Sequence, residues 1–398
     1  MRRNANAALI TPQTIVPPHI FEHLARLSEE RWPGMAERAR ESLAWSAEMR
    51  TERGVADRSE RLAATPTHHG LRRALYNAEH GFELPGRIVR REGEDVTSDE
   101  TVDEAYDALG ATWTYFSKVH ARDSIDGKGL ALDASVHYRR DYNNAFWNGR
   151  QMVFGDGDGR IFGRFTRSLD VIGHELTHGV TQYEAGLEYQ GQSGALNEHM
   201  SDVFGSLVKQ YSLGQTAKQA DWLIGEGLWA PGVKGKALRS MKAPGTAYDD
   251  PRIGRDPQPA HMDDYVDTAD DHGGVPLNSG IPNHAFYLAA VGFAGKAWVK
   301  AGKVWYRALT EMLRRDADFM VAAAATVEAA GDLYDTKGAT IVRSAWKQVG
   351  IEVGAGTRRK PKAVPKPDPA RRIMKARTEG AAKDAHPRRT ERRYRRAS

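Results

Sequence analysis

The chain has 398 residues, 40% of them hydrophobic, enough for two lobes with terminal additions. It has no cysteine. Disulfides and thiolate ligands are therefore excluded, and any metal must be held by histidine, aspartate or glutamate. The net charge of +5 hides an asymmetry: residues 354–398 carry 16 Lys/Arg against 4 Asp/Glu, which leaves a net −7 over 1–353.

Residues 1–18 are mostly polar and small and end in Pro17-Pro18. They hold two arginines but no apolar core of the kind a conventional secretory signal has. From Ile20 the apolar residues Ile20, Phe21, Leu24 and Leu27 recur at helical spacing, and a second helix is expected over about 34–50 with Met35, Leu43, Trp45 and Met49. This stretch reads as a small helical appendage, either a docking helix pair or, more sharply, a pro-segment over 1–50. Residues 71–100 mix short apolar runs with Gly and Pro, as hairpins do. A helix is expected over 99–120, capped by Asp99, with Ala105, Leu109, Trp113 and Phe116 in phase. Strands and glycine turns follow over 128–166, in "LALDASVHYRR" and "RQMVFGDGDGRIFGRF". Helices dominate from 168 to about 352, interrupted by a loop-rich insertion at 229–282. Residues 354–398 are rich in Pro, Lys and Arg and are expected to be unstructured. No apolar run reaches about 18 residues, so no membrane-spanning helix is expected.

The chemistry concentrates in "SLDVIGHELTHGVTQY", which contains His174-Glu175-Leu176-Thr177-His178. On a helix, positions i and i+4 share a face, so both imidazoles reach one metal ion and Glu175 points near it. Bound zinc lowers the pKa of water towards about 7, and a nearby carboxylate takes the proton. Downstream, "GALNEHMSDVFG" sets Glu198 and Asp202 at i and i+4 of a second helix. One of them can ligate the metal while the other orients a ligand histidine.

The stretch "VIGHELTHGVTQYEAGLEYQGQSGALNEHMSDVFG" resembles the zinc core of the thermolysin-like metallopeptidases. The resemblance runs through "YNNAFWNGRQMVFGDGDG", "ALRSM", "DHGGVPLNSGIPNHAFYL" and "AWKQVGIEVG", in the family's order, over roughly 70–353. It implies an α+β fold with a β-rich N-terminal lobe (70–168), a helical C-terminal lobe (169–353) and zinc in the cleft between. The N-terminal appendage resembles the short pro-segments of protealysin-like members. By this resemblance His174, His178 and Glu198 ligate zinc, Glu175 is the general base, and Asn197 and Asp202 steady the ligand histidines. Tyr189 donates to the oxyanion. Asn144 and Ala145 lie on an edge strand that holds a peptide substrate by its backbone. Arg239 binds the substrate carbonyl beyond the cut. Phe162, Phe165, Val171, Ile224 and Leu238 line an apolar pocket for the residue after the cut. Phe165 stands where the family often has leucine, which makes that pocket shallower.

Two departures stand out. The family's larger members bind a calcium pair. Asp170, Asp221 and Glu226 match its ligands, but Lys209 and Leu223 replace two acidic ones. No calcium pair is expected, with a single weak site as the alternative and Lys209 as the substitute charge. "GDGDGRIFGRFT" reads as a glycine hairpin, because Arg160 occupies the fifth position of a would-be calcium loop and no Glu closes it. The second departure is Pro276, where the family has a histidine that donates to the oxyanion and is oriented by Asp271. Proline has no side-chain donor. Losing one such donor costs about 2.7–4 kcal/mol, or roughly 10²–10³ in turnover. His272, four residues upstream across two glycines, reads as a loop histidine rather than a stand-in. His68, His69, His120, His137, His261 and His284 lack ligand spacing and read as surface or core groups. His199 adjoins Glu198 but points about a quarter turn away.

The expected function is a zinc-dependent endopeptidase that cleaves on the N-terminal side of bulky hydrophobic residues, slowed by Pro276. The alternative is an impaired pseudo-peptidase that binds peptides or a partner. The expected partners are a peptide or protein substrate, the chain's own pro-segment, and a non-specific anionic surface for the basic tail. With no conventional signal, a cytoplasmic location or leaderless export is expected, with secretion as the family-level alternative.

Overall fold

The computed structural model describes residues 13–27, 29–44 and 69–354. Trp45, Met49, His68 and the basic tail beyond 354 lie outside the described residues.

The first half centres on a mixed sheet with strands β1 (Gln13–Thr14), β2 (Arg73–Asn77), β3 (Arg87–Arg91), β4 (Leu132–Val136), β5 (Ala145–Trp147) and β6 (Met152–Phe154). Its order is β1-β5-β6-β4-β2-β3. Strands β2, β4 and β6 run parallel, while β1, β3 and β5 are antiparallel to their neighbours. The N-terminal segment opens with a strand ahead of its two helices. Its first described residues extend the sheet, with Gln13 opposite Trp147 and Thr14 opposite Phe146. Pro17 and Pro18 then end the strand and start helix α1 (Pro18–Ala25), since proline's fixed φ suits a first helical turn. Helix α2 covers 35–44. Phe21 of α1 is 2% exposed, with its ring 6.4 Å from that of Phe162. Burying it stabilises the docked segment by about 2 kcal/mol.

Helix α3 (Glu100–His120) packs on β2 and β4. It begins because the Asp99 carboxylate accepts the Thr101 N–H, as the sequence predicts, and it stops at Ala121 in a left-handed conformation.

The second half is helical: α4 (Leu169–Tyr183), α5 (Gly191–Leu213), α6 (Asp271–Asn278), α7 (Gly280–Phe293), α8 (Ala301–Arg307) and α9 (Phe319–Gln348). Between α5 and α6 the chain makes only short bridges, such as Leu223–Ile224 with Arg239–Ser240. All residues of α4 from Leu169 to Thr181 are buried, so this is a core helix rather than an amphipathic surface one. It crosses α5 closely because both helices have glycine at the contact. A Cβ on Gly173 would stand 3.1 Å from Gly205 Cα, and one on Gly205 would stand 3.0 Å from His174 N. That approach lets side chains of the two helices meet around one point.

Candidate metal centre and cleft

His174 and His178 lie one turn apart on α4, and Glu198 faces them from α5. Their relative exposures are 0%, 1% and 3%. His174 Nδ1 is 2.8 Å from Asp202 Oδ1, and His178 Nδ1 is 2.9 Å from Asn197 Oδ1. Asn197 Nδ2 donates to Leu187 O, which turns its Oδ1 towards His178. Each Nδ1–H therefore donates to an oxygen acceptor, and each Nε2 keeps its lone pair. The two Nε2 atoms are 3.0 Å apart, and each is 3.5 Å from a Glu198 carboxylate oxygen. Two lone pairs and a carboxylate repel at that range unless a cation lies among them. Two imidazoles and one carboxylate fit zinc with a position left for substrate or water.

Around this centre, Glu175 is fully buried and accepts the Trp147 N–H of β5 at 3.1 Å. The Tyr189 hydroxyl donates to Glu198 Oε1 at 2.6 Å. Burial pushes the Glu198 carboxyl up. Burial acts the same way on Asp202, but the Arg239 guanidinium and His174 outweigh it and hold that carboxyl well below the usual range. Arg239, itself 3% exposed, donates to Asp202 at 2.8 Å and 2.9 Å, and Asn283 adds a further donor at 2.8 Å.

The cleft beside this centre holds the N-terminal strand. The Ile15 N–H donates to Ala145 O at 3.3 Å, its carbonyl accepts from Arg239 Nη1 at 3.1 Å, and the Val16 N–H donates to Asn144 Oδ1 at 3.1 Å. Without β1, strand β5 would be the sheet edge. Further along, His19 Nε2 is 2.9 Å from the Tyr248 hydroxyl. Burial, then the charges of Arg239 and His23, push the His19 imidazole down to about 4. A cavity of ≈ 20 Å³ remains beside β1, lined by Ile15, Tyr189, Glu198, Arg239, His272 and Pro276, with Asp271 on the same wall. Phe162, Phe165, Val171, Ile224 and Leu238 are at most 1% exposed and do not line this cavity. Phe162 packs on Phe165 at 5.5 Å between ring centres.

At the calcium-like position, Lys209 Nζ lies 3.3 Å from Asp170, 2.8 Å from Asp221 and 3.1 Å from Glu226. Burial lowers its pKa, but the three carboxylates outweigh burial and raise it. In "GDGDG", Asp158 Oδ1 accepts the N–H groups of Arg160, Ile161 and Phe162, closing a turn.

Two further histidines have well-defined partners. His199 is a core group: its Nδ1 donates to Asn283 Oδ1 at 2.8 Å, its Nε2 accepts from Trp305 at 2.8 Å, and burial pushes it down to about 4. His137 is more than a routine surface group. Its Nδ1 is 2.9 Å from Asp156, its Nε2 is 2.8 Å from Asp99, and His80 Nδ1 is 3.6 Å from Asp156. Nothing in the local spacing reveals this group, because Asp99 and Asp156 come from distant segments.

A buried group of two histidines and one glutamate that could hold a metal ion, on crossing helices beside a sheet edge paired with an extended segment, is an arrangement of the metallopeptidase type. Residues 57–182 match the family model described as "Thermolysin metallopeptidase, catalytic domain", and residues 185–351 match "Thermolysin metallopeptidase, alpha-helical domain". The chain belongs to the thermolysin metallopeptidase family. It is 57% identical over 282 residues to an extracellular metalloprotease of Pectobacterium carotovorum, covering 71% of this chain and 81% of that one. It is 45% identical over 345 residues to Protease PrtS of Photorhabdus, covering 85% and 92% of the two chains. Among solved structures, the precursor of protealysin, a metalloproteinase from Serratia proteamaculans, aligns with a TM-score of 0.78 and 50% identity over 85% of this chain and 99% of that one.

Proposed function

We propose that the protein is a zinc endopeptidase that cleaves on the N-terminal side of bulky hydrophobic residues and is made with its N-terminal segment seated in the cleft. The carrying observation is that segment: Ile15 lies 0% exposed, its N–H on Ala145 and its carbonyl on Arg239. These are the groups assigned to hold a substrate, and an isoleucine is the residue they hold. When bound by His174, His178 and Glu198, zinc supplies Lewis-acid polarisation and an acidified water. Glu175 accepts the proton of the attacking water and passes it to the leaving nitrogen. Tyr189 turns from Glu198 to the oxygen on which charge develops. Asn144, Ala145 and Arg239 fix the backbone so that the bond lies in line, while Asn197 and Asp202 hold the ligand histidines. Phe162, Phe165, Val171, Ile224 and Leu238 form the apolar receptor for the side chain after the cut. Asp271 stays on the cleft wall although its expected histidine partner is Pro276.

The match of 85% of this chain to 99% of a protealysin precursor supports reading residues 1–50 as a pro-segment. Lys209 replaces the charge of a calcium pair. The extracellular relatives support export over a cytoplasmic location, and the basic tail suits non-specific anionic surfaces. The presence of Pro276 on the cleft wall favours one competing reading, an impaired peptidase that binds peptides without cutting them.

N-terminal sequencing of the purified full chain tests the proposal. Wild type should lose its first residues with time, while Glu175→Ala stays intact. Equal shortening of both would remove Glu175 as the base. An intact chain in both, with zinc bound, would favour the impaired reading.

A further inference from the structure

We propose that His272 is the oxyanion donor that Pro276 lacks, a substitution within one loop rather than a loss. The inference rests on the peptidase reading above. Pro276 is buried in the first true turn of α6, where its missing N–H costs nothing. Its carbonyl accepts from Gln258 Nε2 at 2.8 Å and Ser279 Oγ at 3.1 Å. That position therefore contributes only an apolar ring to the cleft.

The loop just before it is built to present His272. Asp271 and His272 adopt φ of 47° and 58°, followed by Gly273 at 84° and Gly274 at 70°. Two consecutive non-glycine residues in the left-handed region are costly, and such strain is retained where the surrounding structure imposes it. Here the constraint is visible. A Cβ on Gly273 would lie 3.2 Å from Gly191 N, so the loop presses against the chain directly after Tyr189. A Cβ on Gly194 would lie 2.9 Å from the Tyr189 carbonyl carbon and would overlap Val275. The loop and Tyr189 are thus locked together by glycine contacts. The consequence is an edge-to-face pair: the His272 and Tyr189 rings are 5.7 Å apart at 66°.

Both residues line the ≈ 20 Å³ cavity, together with Glu198 and Arg239. A space of that size holds about one water or one oxygen atom of a bound group. The imidazole has an N–H in either protonation state, which proline has not. The donor pair expected from Tyr189 and a histidine is therefore present, with the histidine displaced four positions along the chain. Catalysis then needs no repair at Pro276.

The test compares His272→Ala, His272→Phe and His272→Gln in the full chain, with the N-terminus sequenced to correct for pro-segment removal. Cleavage of a quenched peptide gives kcat/KM. Affinity for a phosphonamidate peptide, whose phosphoryl oxygens mimic the developing charge, is compared with that for its ground-state peptide. Ala and Phe should each lower kcat/KM by about 10²–10³, mainly through kcat. They should weaken the phosphonamidate but not the peptide. Gln should recover part of both, and adding Pro276→His to His272→Ala should recover at least tenfold. Phe matching wild type would reduce His272 to packing on Tyr189 and overturn the proposal. So would phosphonamidate affinity that is indifferent to all three changes. Loss of chelator-sensitive cleavage in wild type would sink the parent reading instead, and the affinity comparison would still decide the role of His272.

Discussion

Among the described residues, two clusters bring two histidines and a carboxylate within metal-ligating range: His174, His178 and Glu198 in the core, and His80, His137 and Asp156 nearer the surface. Proximity does not distinguish them; the second nitrogen of each ring does. In the core cluster each Nδ1 faces Asp202 or Asn197, so the Nε2 lone pairs converge. In the outer cluster both nitrogens of His137 face carboxylates, so the ring carries two protons and is itself the cation. Its pKa is accordingly pushed up to about 9, first by the hydrogen bond to Asp156 and, against burial, by the bond to Asp99. The acidic group around Lys209 resolves the same problem a third way, with an ammonium among three carboxylates. A metal ion would serve the core cluster as the proton serves His137 and the ammonium serves the acidic group.

The largest expected effect breaks the core cluster. Glu198→Ala should lose bound zinc in a metal analysis and reduce cleavage to background. Wild type should hold one zinc per chain after dialysis; two would mean that the outer cluster is also a metal site. Next, Lys209→Met leaves Asp170, Asp221 and Glu226 without their cation. Asp170 is buried but Glu226 is half-exposed, so solvent screening keeps the cost near the lower end, about 3 kcal/mol, read as a lower melting temperature. A melting temperature within about one degree of wild type would show that the cluster does not need Lys209.

The smallest effects come from protons, and two histidines should act with opposite sign. His137 has a raised pKa, so its contribution is complete below about 6.5 and fades as pH rises through about 9. His137→Gln should flatten the decline in melting temperature between about pH 6.5 and 9. His19 has a lowered pKa and is neutral when docked against Tyr248, with Arg239 and His23 near. The undocked segment takes up the proton first, so docking weakens as pH falls from 6.5 towards about 4. Limited proteolysis of the Glu175→Ala chain across that range should show an increasingly accessible N-terminus. Equal protection at pH 7 and pH 4.5 would exclude His19 from docking.

The sequence reveals most of what local periodicity encodes. The i, i+4 pairs His174/His178 and Glu198/Asp202 and the cap at Asp99 are each a pattern within one element, and each stands where that pattern puts it. Other features depend on contacts between distant segments. Thr14, Ile15 and Val16 are β-formers, but a run this short does not reveal that Gln13 and Thr14 pair with Trp147 and Phe146 of β5. His137 finds Asp99 and Asp156 at separations of 38 and 19 residues, which no spacing rule covers. His272 reads as remote across two glycines, but four successive left-handed residues fold it back into the cleft. The basic tail has a clear composition and lies outside the described residues.

The most direct measurement follows cleavage of a quenched peptide carrying isoleucine or leucine after a single scissile bond, with and without a metal chelator. The expected result is a cut immediately before that residue, lost with the chelator and restored by zinc. Cleavage that ignores the chelator, or its absence from a wild-type chain that holds zinc and has shed its N-terminal segment, would contradict it.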